Sequence, residues 1–492
     1  MKLTLQNIGL IQHTEILLDG ITLIVGNNST GKSTVGRAAY LYGVCLNGMD
    51  RYIRKDRQKT IFQELNRASE NLDLICKRLA NAKRKRKLSE IEAHRRVVSI
   101  ALASFTEDDF KTVKKVLASY MQKHVELYGL KWEDVSNDKS LKKWLDDAAS
   151  RVEEVLSLSD DDIGKRRITE KLDKYFSGQI LRIPSRDGED SAEEDSYIKV
   201  ENDAHESNEI VFERNKKAGR DACSAFTQDF MVDQIPVYIE NPRVLDKLTK
   251  RPNLSRTEVL DLVFAPNAES LELANYYDGM VSAYFQDFMQ IVARFTDDGD
   301  DAQLESKSGT TAIQLEQYTR NVKSLEEKLD EIVGGQLVKT NPKGIQFQQE
   351  NLVRSIEITS MSTGIKALSL LRYALEKGCI QRGSILILDE PEINLHPEWQ
   401  IKYAETIVEM QKLFDLRIVI TTHSPYFMQA VEYSTKLKGI KERYHCYLAE
   451  YAHGKSRISC VDSFPSMGYK KLIEAFAVLE QMKAECERIG EE

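Results

Sequence analysis

The sequence predicts an α/β fold that carries a large, mostly helical insertion, and three observations predict it. The first 45 residues show the pattern strand, turn, strand, loop and helix, with Ile21–Val25 as the second strand. From Ser360 onward, helices and buried strands alternate again. Between about Tyr52 and Phe176 the chain is highly charged and contains almost no Pro or Gly, which is typical of helices stacked outside a core.

Composition excludes several classes of protein. The chain has 492 residues, of which 41% are hydrophobic and 30% charged, and its formal net charge is -8. The length exceeds one ordinary domain, and no apolar run approaches the length needed to span a bilayer. The N-terminus lacks the basic and apolar regions of a secretory signal. We therefore expect a cytoplasmic protein without a membrane role.

Cysteines and charge narrow the range of ligands. The seven cysteines include no C-x-x-C pair, which argues against a disulfide framework and a zinc knuckle; we expect reduced, mostly buried thiols. The acidic net charge provides no global basic field for nucleic acid. One basic run is a candidate contact to nucleic-acid phosphates, although such runs more often form a solvated helix face: Lys83, Arg84, Lys85, Arg86 and Lys87.

The insertion divides the predicted core into separate stretches of sequence. We predict a core made of residues 1–50 and 335–492, joined by strands near 195–240. Residues 51–185 form the predicted helical lobe, and residues 241–334 a helical segment that ends in a short heptad helix. The acidic stretch 186–206 is predicted to be mostly a mobile loop around a short strand.

The heptad helix is predicted from apolar residues that recur in alternating steps of three and four: Leu315, Tyr318, Val322, Leu325, Leu329 and Ile332. The seam covers fewer than three heptads, so we expect it to pack on the lobe or on a neighbouring subunit rather than form an independent rod. Two glycines end the helix, and an Asn-Pro-Lys-Gly turn at 341–344 predicts a hairpin.

A glycine-rich motif lies between the strand at 21–25 and the following helix. It reads Gly26, Asn27, Asn28, Ser29, Thr30, Gly31, Lys32 and Ser33, followed by Thr34. The motif matches G-x-x-x-x-G-K-[ST], the P-loop, in the context that this motif requires. Its backbone N–H groups and the helix N-terminus are suited to phosphates. We expect Lys32 to neutralise the β- and γ-phosphates of ATP, and Ser33 to contact Mg²⁺.

Two carboxylates follow a second buried strand. Residues 384–388 are apolar after the initial serine and lead directly into Asp389 and Glu390. The carboxyl ends of strands are where doubly wound sheets bind ligands. Asp389 is therefore the predicted second Mg²⁺ contact, and Glu390 the predicted general base that activates water.

Two further sequence elements are weaker evidence for a nucleotide site when each is considered alone. His423 follows the buried strand 416–421 and is a candidate γ-phosphate sensor, or else a hydrogen-bonded loop histidine. Ser362 and Gly364 begin a helical run, where they form either a second anion-binding helix start or an ordinary N-cap. The presence of the P-loop and the paired carboxylates favours the functional interpretation of both.

The order of these elements resembles that of the ABC-class ATPase heads of the SMC and RecF type. Within that class, the runs 387–397 and 422–425 look most like the OLD-type ATPases, which include the ATPase subunits of antiphage systems such as Septu PtuA. The similarity extends over residues 1–45 and 345–450. It implies an α/β P-loop NTPase head of ABC type, with ATP and Mg²⁺ as cofactors.

The resemblance also implies a shared nucleotide site. Residues 361–365 stand where the family has its L-S-G-G-Q signature, with Thr363 and Ile365 in place of glycine and glutamine. In that family, the signature of one protomer contacts the γ-phosphate held by the other. The resemblance therefore implies a homodimer or a higher homo-oligomer, with residues 394–396 as the D-loop region at the same interface.

Two departures from the family pattern shape the functional hypothesis. No Q-loop glutamine is identified, since Gln58 and Gln63 lie in the helical insertion. The 69 residues after His423 contain no D-x-D pair of a Toprim nuclease. We therefore expect an ATPase that regulates a separately encoded effector, an HNH-type or other nuclease, in antiviral defence. The alternatives are a scaffold in which ATP is structural, and a RecF-like or SMC-like repair ATPase that acts on DNA.

Overall fold

The computed structural model describes residues 1–57, 157–181, 195–240 and 312–490, with gaps of one to three residues inside these ranges, and a few positions between 122 and 154. The chain divides into two compact units, Met1–Asn47 with Ile168–Glu492 and Gly48–Arg167. The sheets and the candidate site lie in the first unit.

The described strands form two sheets. They are β1 (Lys2–Ile8), β2 (Ile11–Leu17), β3 (Ile21–Gly26), β4 (Ser196–Glu201), β5 (Ser207–Asn215), β6 (Arg220–Gln228), β7 (Val237–Ile239), β8 (Gly335–Thr340), β9 (Gly344–Gln349), β10 (Ile356–Glu357), β11 (Ile385–Asp389), β12 (Arg417–Thr422), β13 (Tyr444–Ala452) and β14 (Lys455–Cys460). Among the described residues, eleven strands form one sheet in the order β6-β5-β4-β1-β2-β14-β13-β3-β12-β11-β7. The remaining strands, β10-β9-β8, form a small antiparallel sheet.

The parallel part of the large sheet positions the site. Its neighbouring strands β13, β3, β12, β11 and β7 all run in the same direction. Every residue of β3 is buried, as expected for an apolar strand covered on both faces. The registers pair Val25 with Thr422 and Asp389 with Thr421, so the carboxyl ends of β3, β12 and β11 lie side by side.

The other part of the large sheet is antiparallel and contains β1, β2, β4, β5 and β6. The predicted α/β class is confirmed, with the P-loop between β3 and the helix at Lys32–Leu46. The prediction of Ile21–Val25 as the second strand is wrong, because β2 precedes it. Most polar residues of β2 face outward, and its apolar residues at 11 and 16 are too far apart to form a continuous apolar run. β6 and the β13–β14 hairpin were likewise not predicted.

The described helices are α1 (Lys32–Leu46), α2 (Asp160–Phe176), α3 (Ala312–Val333), α4 (Thr363–Glu376), α5 (Pro397–Phe414), α6 (Pro425–Leu437) and α7 (Pro465–Gly490), with a 3-10 helix at Lys441–Arg443. α1 starts at the P-loop, α5 follows β11 and α6 follows β12. None of the helices in the described ranges is long and apolar enough to cross a membrane.

Helix α3 is the predicted heptad helix, and its packing differs from the prediction. Leu325, Leu329 and Val333 are buried in the main hydrophobic core together with residues of α4 and α5. The Asn321 side chain donates to the carbonyl of Leu413 at 2.7 Å. The helix therefore packs on the core itself, because alternating steps of three and four also describe the buried stripe of an ordinary amphipathic helix. The hairpin predicted after it is confirmed as β8 and β9.

Some predictions concern residues outside the described part of the chain. These are the basic run 83–87, the two glutamines Gln58 and Gln63, most of the predicted helical lobe 51–185, residues 186–194 of the acidic stretch, and residues 241–311 of the predicted helical segment. Residues 196–201 of that stretch form β4. The described cysteines are free thiols; four are buried and two exposed.

Candidate functional site

The P-loop has a backbone that requires glycine at its start. Gly26 ends β3 with φ of 153°, and a Cβ there would lie 2.3 Å from the carbonyl oxygen of Ala449. Ser29 and Gly31 have φ of 62° and 83°, so the loop curls back before α1 begins. Within the described residues, no side chain caps the N-terminus of α1. Its first N–H groups are therefore available for an anion.

Lys32 is a buried cation at this loop. Its side chain is 3% exposed, and its Nζ donates to the carbonyls of Gly26 at 2.9 Å and Asn27 at 2.7 Å. Nζ also lies 3.9 Å from Oε1 of Glu390. Burial lowers the pKa of Lys32, and the carboxylates of Glu390, Glu392 and Asp389 oppose that shift. The loop therefore holds a positive charge where the motif requires it.

Asp389 accepts hydrogen bonds from three hydroxyl groups. Ser33 Oγ donates to its Oδ1 at 2.8 Å, Tyr238 OH donates to its Oδ2 at 2.8 Å, and Thr421 Oγ1 donates to Oδ1. The structure thus brings together the two predicted metal ligands, Ser33 and Asp389. A hydroxyl beside a carboxylate is an all-oxygen pair that fits Mg²⁺, which takes few protein ligands and retains water or phosphate oxygens as the others.

Sequence reasoning missed Tyr238 and Thr421. Tyr238 lies in the short buried strand β7, which runs parallel to β11. Thr421 pairs directly with Asp389 in the sheet. A threonine at the end of a strand next to the carboxylate strand is a usable signal only after the strand order is known. β7 ends at Ile239, and Glu240 follows it.

Glu390 is held by its backbone in an unusual conformation. Its φ is 49°, and its N–H donates to both the carbonyl and Oγ1 of Thr421, each at 3.1 Å. A left-handed backbone conformation is uncommon for a residue other than glycine, and such residues are often found at functional sites. These contacts fix the residue at the start of the loop after β11, with its carboxylate beside Lys32 and His423.

His423 follows β12 and faces two carboxylates. Its Nδ1 lies 3.6 Å from Oε1 of Glu390 and 3.6 Å from Oε1 of Glu392. The contact with His423 lowers the pKa of Glu390. The same contact raises the pKa of His423, and burial opposes that rise. Glu392 is buried, which raises its pKa, and sequence reasoning did not assign it a role.

Ser362 and Gly364 are in a different environment. Ser362 Oγ accepts from the N–H of Ile365 at 3.3 Å, so it caps α4 and is otherwise exposed. Gly364 packs on the indole of Trp399, where a Cβ would lie 2.6 Å from the ring. Among the hydrogen bonds of the described residues, none joins Ser362 or Gly364 to the P-loop, Asp389, Glu390 or His423. The predicted signature is not part of the site built by its own chain.

Space for a ligand lies beside the P-loop. A cavity of about 740 Å³ is lined by Asn27, Asn28 and Thr30 on the loop side and by the β13–β14 hairpin on the other. Ser456 of that hairpin donates its hydroxyl to the Thr30 carbonyl, which fixes the hairpin against the loop. The cavity borders one side of the P-loop, and the cluster of Lys32, Ser33, Asp389, Glu390 and His423 does not line it.

Comparison with known proteins identifies the family. The model of the AAA ATPase domain family, AAA_15, matches residues 1–428. Among solved structures, the chain is similar to an Smc head bound to the C-winged helix domain of ScpA, at 12% identity, covering 95% of this chain and 98% of that chain, with a TM-score of 0.39. It is also similar to the SMC head domain from Thermotoga maritima, at 10% identity, covering 94% and 98%, with a TM-score of 0.35.

Proposed function

The chain belongs to the AAA ATPase domain family, and on this premise we propose that it binds ATP with Mg²⁺ and hydrolyses the bond to the γ-phosphate. One observation carries the proposal. Lys32, Ser33, Asp389, Glu390 and His423 come from three separate parts of the sequence and contact one another at one edge of the sheet. A cation, a hydroxyl, two carboxylates and an imidazole are the groups that phosphoryl transfer uses.

Each residue has a distinct part in the proposed reaction. Lys32 and the N–H groups at the start of α1 bind the phosphates and neutralise their charge. Ser33 and Asp389 are the protein ligands for the metal, which when bound would neutralise charge on the phosphate oxygens. Glu390 accepts a proton from the attacking water, because its lowered pKa keeps it ionised at neutral pH. His423 donates a hydrogen bond to the γ-phosphate as charge develops.

Phosphate release tests the catalytic part of the proposal. Glu390→Gln keeps the size of the side chain but removes the base, so the turnover number should fall by about 10²–10⁴-fold. ATP binding, followed with a fluorescent analogue, should persist. Glu398→Gln is a matched control, since Glu398 lies exposed on α5 and pairs only with Lys402 among the described ion pairs. Equal phosphate release by wild type and Glu390→Gln would exclude Glu390 as the base.

We further propose that a second copy completes the site with Ser362 and Gly364. The supporting observation is that Ser362 is exposed at a helix N-terminus and makes no described contact with the site of its own chain. Glu390→Gln, which should bind ATP without releasing phosphate, is the variant in which dimers should accumulate. Light scattering should show a doubled mass with ATP and Mg²⁺; an unchanged mass at saturating ATP would argue against a shared site.

The partner and pathway are proposed from the motif resemblance. We propose that ATP binding and turnover control a separately encoded nuclease in antiviral defence. Purification from the native operon should yield a second protein, and phage infection should be less restricted without this chain. If the chain purifies alone and infection is unaffected, the proposal is wrong. Phosphate release that is undetectable even in wild type would instead favour the structural-ATP scaffold, which the altered signature at Thr363 and Ile365 supports.

Direct contact with nucleic acid is a separate proposal for the basic run at 83–87. Neutralising its lysines and arginines should weaken DNA binding at low salt and reduce the salt dependence of that binding. Unchanged affinity after neutralisation would show that this run is not the contact.

A further inference from the structure

Glu392 is a buried carboxylate that lies beside the site and has no role in the proposed reaction. Its side chain is 2% exposed. Its Oε1 accepts hydrogen bonds from the hydroxyl of Thr422 and from the backbone N–H of His423, the latter at 3.0 Å. The same oxygen lies 3.6 Å from Nδ1 of His423. One oxygen atom therefore contacts both the backbone and the ring of the proposed phosphate sensor.

Packing alone does not account for a carboxylate at this position. Removing a carboxylate from water is unfavourable, and a well-packed apolar side chain would fill the same volume without that cost. Oε2 of Glu392 has no hydrogen-bond partner among the described residues, so the group is only half satisfied. The described hydrogen bonds of this carboxylate all come from Thr422 and His423, so they hold the segment that contains the histidine.

The contacts extend into both flanking elements. Thr422 Oγ1, which donates to Glu392, also accepts from the N–H of Ser424 at 3.0 Å. Ser424 Oγ donates in turn to Oε1 of Gln400 at 2.6 Å, and it caps α6. The residues on both sides of His423 are thus tied to the loop after β11 and to α5. Glu392 is the acceptor through which the histidine itself joins this network.

From this geometry we propose that Glu392 is a positioning residue that fixes the backbone and ring orientation of His423. The inference rests on the proposed function, in which His423 donates to the γ-phosphate. Glu390 and Glu392 both lie on the Nδ1 side of the ring, which favours a proton on Nδ1. In the doubly protonated ring, which the two nearby carboxylates favour, Nε2–H is then the donor left for the phosphate. The charged groups that face the histidine are Glu390 and Glu392 from the loop and Lys32 from α1.

Kinetics of two variants test the proposal. Glu392→Ala removes all of the contacts, and turnover should fall by about 10²-fold, the effect expected of a displacement near 1 Å in a catalytic group. Glu392→Gln keeps an acceptor oxygen for Thr422 and for the His423 backbone, so it should retain more activity than Glu392→Ala. KM for ATP should stay within about twofold in both, because His423 acts on charge that develops in the transition state. A raised KM with unchanged turnover would overturn the proposal.

A double-mutant cycle separates positioning from a general structural effect. If Glu392 acts through His423, then Glu392→Ala should cost little further activity in a His423→Gln background. Independent, multiplicative losses would overturn the proposal. Glu398→Gln again serves as the control for a glutamate change in the same region, and it should leave turnover unchanged.

A spectroscopic measurement does not depend on hydrolysis. In protein labelled with ¹⁵N-histidine, the His423 ring signals, assigned from their loss in His423→Gln, should shift between wild type and Glu392→Gln because one of the two negative charges that face Nδ1 is removed. Unchanged ring signals would overturn the proposal. If wild type releases no phosphate, the proposed function fails, yet the ring signals still decide whether Glu392 positions His423.

Discussion

The two predicted halves of the nucleotide site differ in how their own chain supports them. At the P-loop edge, Lys32 and Ser33 at the start of α1 contact Glu390 and Asp389 at the end of β11. At the start of α4, the described hydrogen bonds of Ser362 stay within its own helix, and its side chain is exposed. The first half is therefore preorganised within one chain, whereas the second half combines an exposed Ser362 with a Gly364 that is buried against Trp399.

The largest expected effect is the recovery of phosphate release when two inactive variants are mixed, one changed in each half of the predicted site. Lys32→Ala disables the P-loop half, and Ser362→Arg blocks the signature half. Each alone should lack phosphate release, but an equal mixture should recover roughly a quarter of wild-type turnover, because half of the random dimers are mixed and each has one intact site of two.

The control for this experiment uses two changes on the same half. Lys32→Ala mixed with Glu390→Gln should stay inactive, since every site in the mixture lacks either the cation or the base. If the Lys32→Ala and Ser362→Arg mixture is equally inactive, the signature does not act between chains.

The next largest effect on turnover should come from changing Asp389, which accepts the hydrogen bonds at the P-loop edge. Asp389→Asn removes the charge that receives hydrogen bonds from Ser33, Tyr238 and Thr421. Turnover should fall by roughly 10³-fold, because a preorganised charge in the site is lost. A titration with Mg²⁺ should reach half-maximal turnover at a higher metal concentration than in wild type, whereas Tyr238→Phe, which removes one donor, should cost much less turnover. Near-normal turnover of Asp389→Asn would remove it from the metal site.

At the signature edge, Gly364→Ala should act on stability. The added Cβ would lie 2.6 Å from the Trp399 ring, and such overpacking costs about 1–3 kcal/mol. Thermal denaturation should show a lower Tm for the variant. In a Trp399→Leu background, where the ring is absent, the same change should cost less. An equal loss in both backgrounds would show that contact with the ring is not the cause.

The smallest expected effect is a pH dependence of stability from the contact between His423 and Glu390. The pKa of His423 is raised above 6.5. The contribution of His423 to the free energy of unfolding is therefore complete below that pH, and it is lost as the pH rises through the raised value. The pKa of Glu390 is lowered below 4.5. The contribution of Glu390 to the free energy of unfolding is therefore complete above that pH, and it is lost as the pH falls through the lowered value. Stabilisation is therefore largest between about pH 4.5 and 6.5.

Urea denaturation would measure this effect. The free-energy difference between wild type and His423→Gln should be larger at pH 5.5 than at pH 8.5. It should stay below about 1 kcal/mol, because His423 is partly exposed and solvent screens the pair. A difference that grows toward alkaline pH would contradict the direction of both pKa shifts.

Prediction from sequence succeeded where the signal is local. The strands before the P-loop, before Asp389 and Glu390, and before His423 lie where the sequence predicts them, each an apolar run followed directly by the candidate site residues. The N-cap at Ser362 is equally local and is present. Antiparallel strands such as β2 and β6 were missed, because half-buried strands with many polar residues lack a continuous apolar run.

By itself, the sequence determined that this chain has a P-loop, an α/β core and two carboxylates and a histidine at strand ends, because strand, loop and helix preferences act over a few residues. Only the tertiary structure decided which strands are neighbours, and hence that Tyr238 and Thr421 hold Asp389 and that Glu392 holds His423. It also decided that α3 packs on the core. The physical reason is that strand order and side-chain contacts depend on hydrogen bonds and packing between residues far apart in the chain.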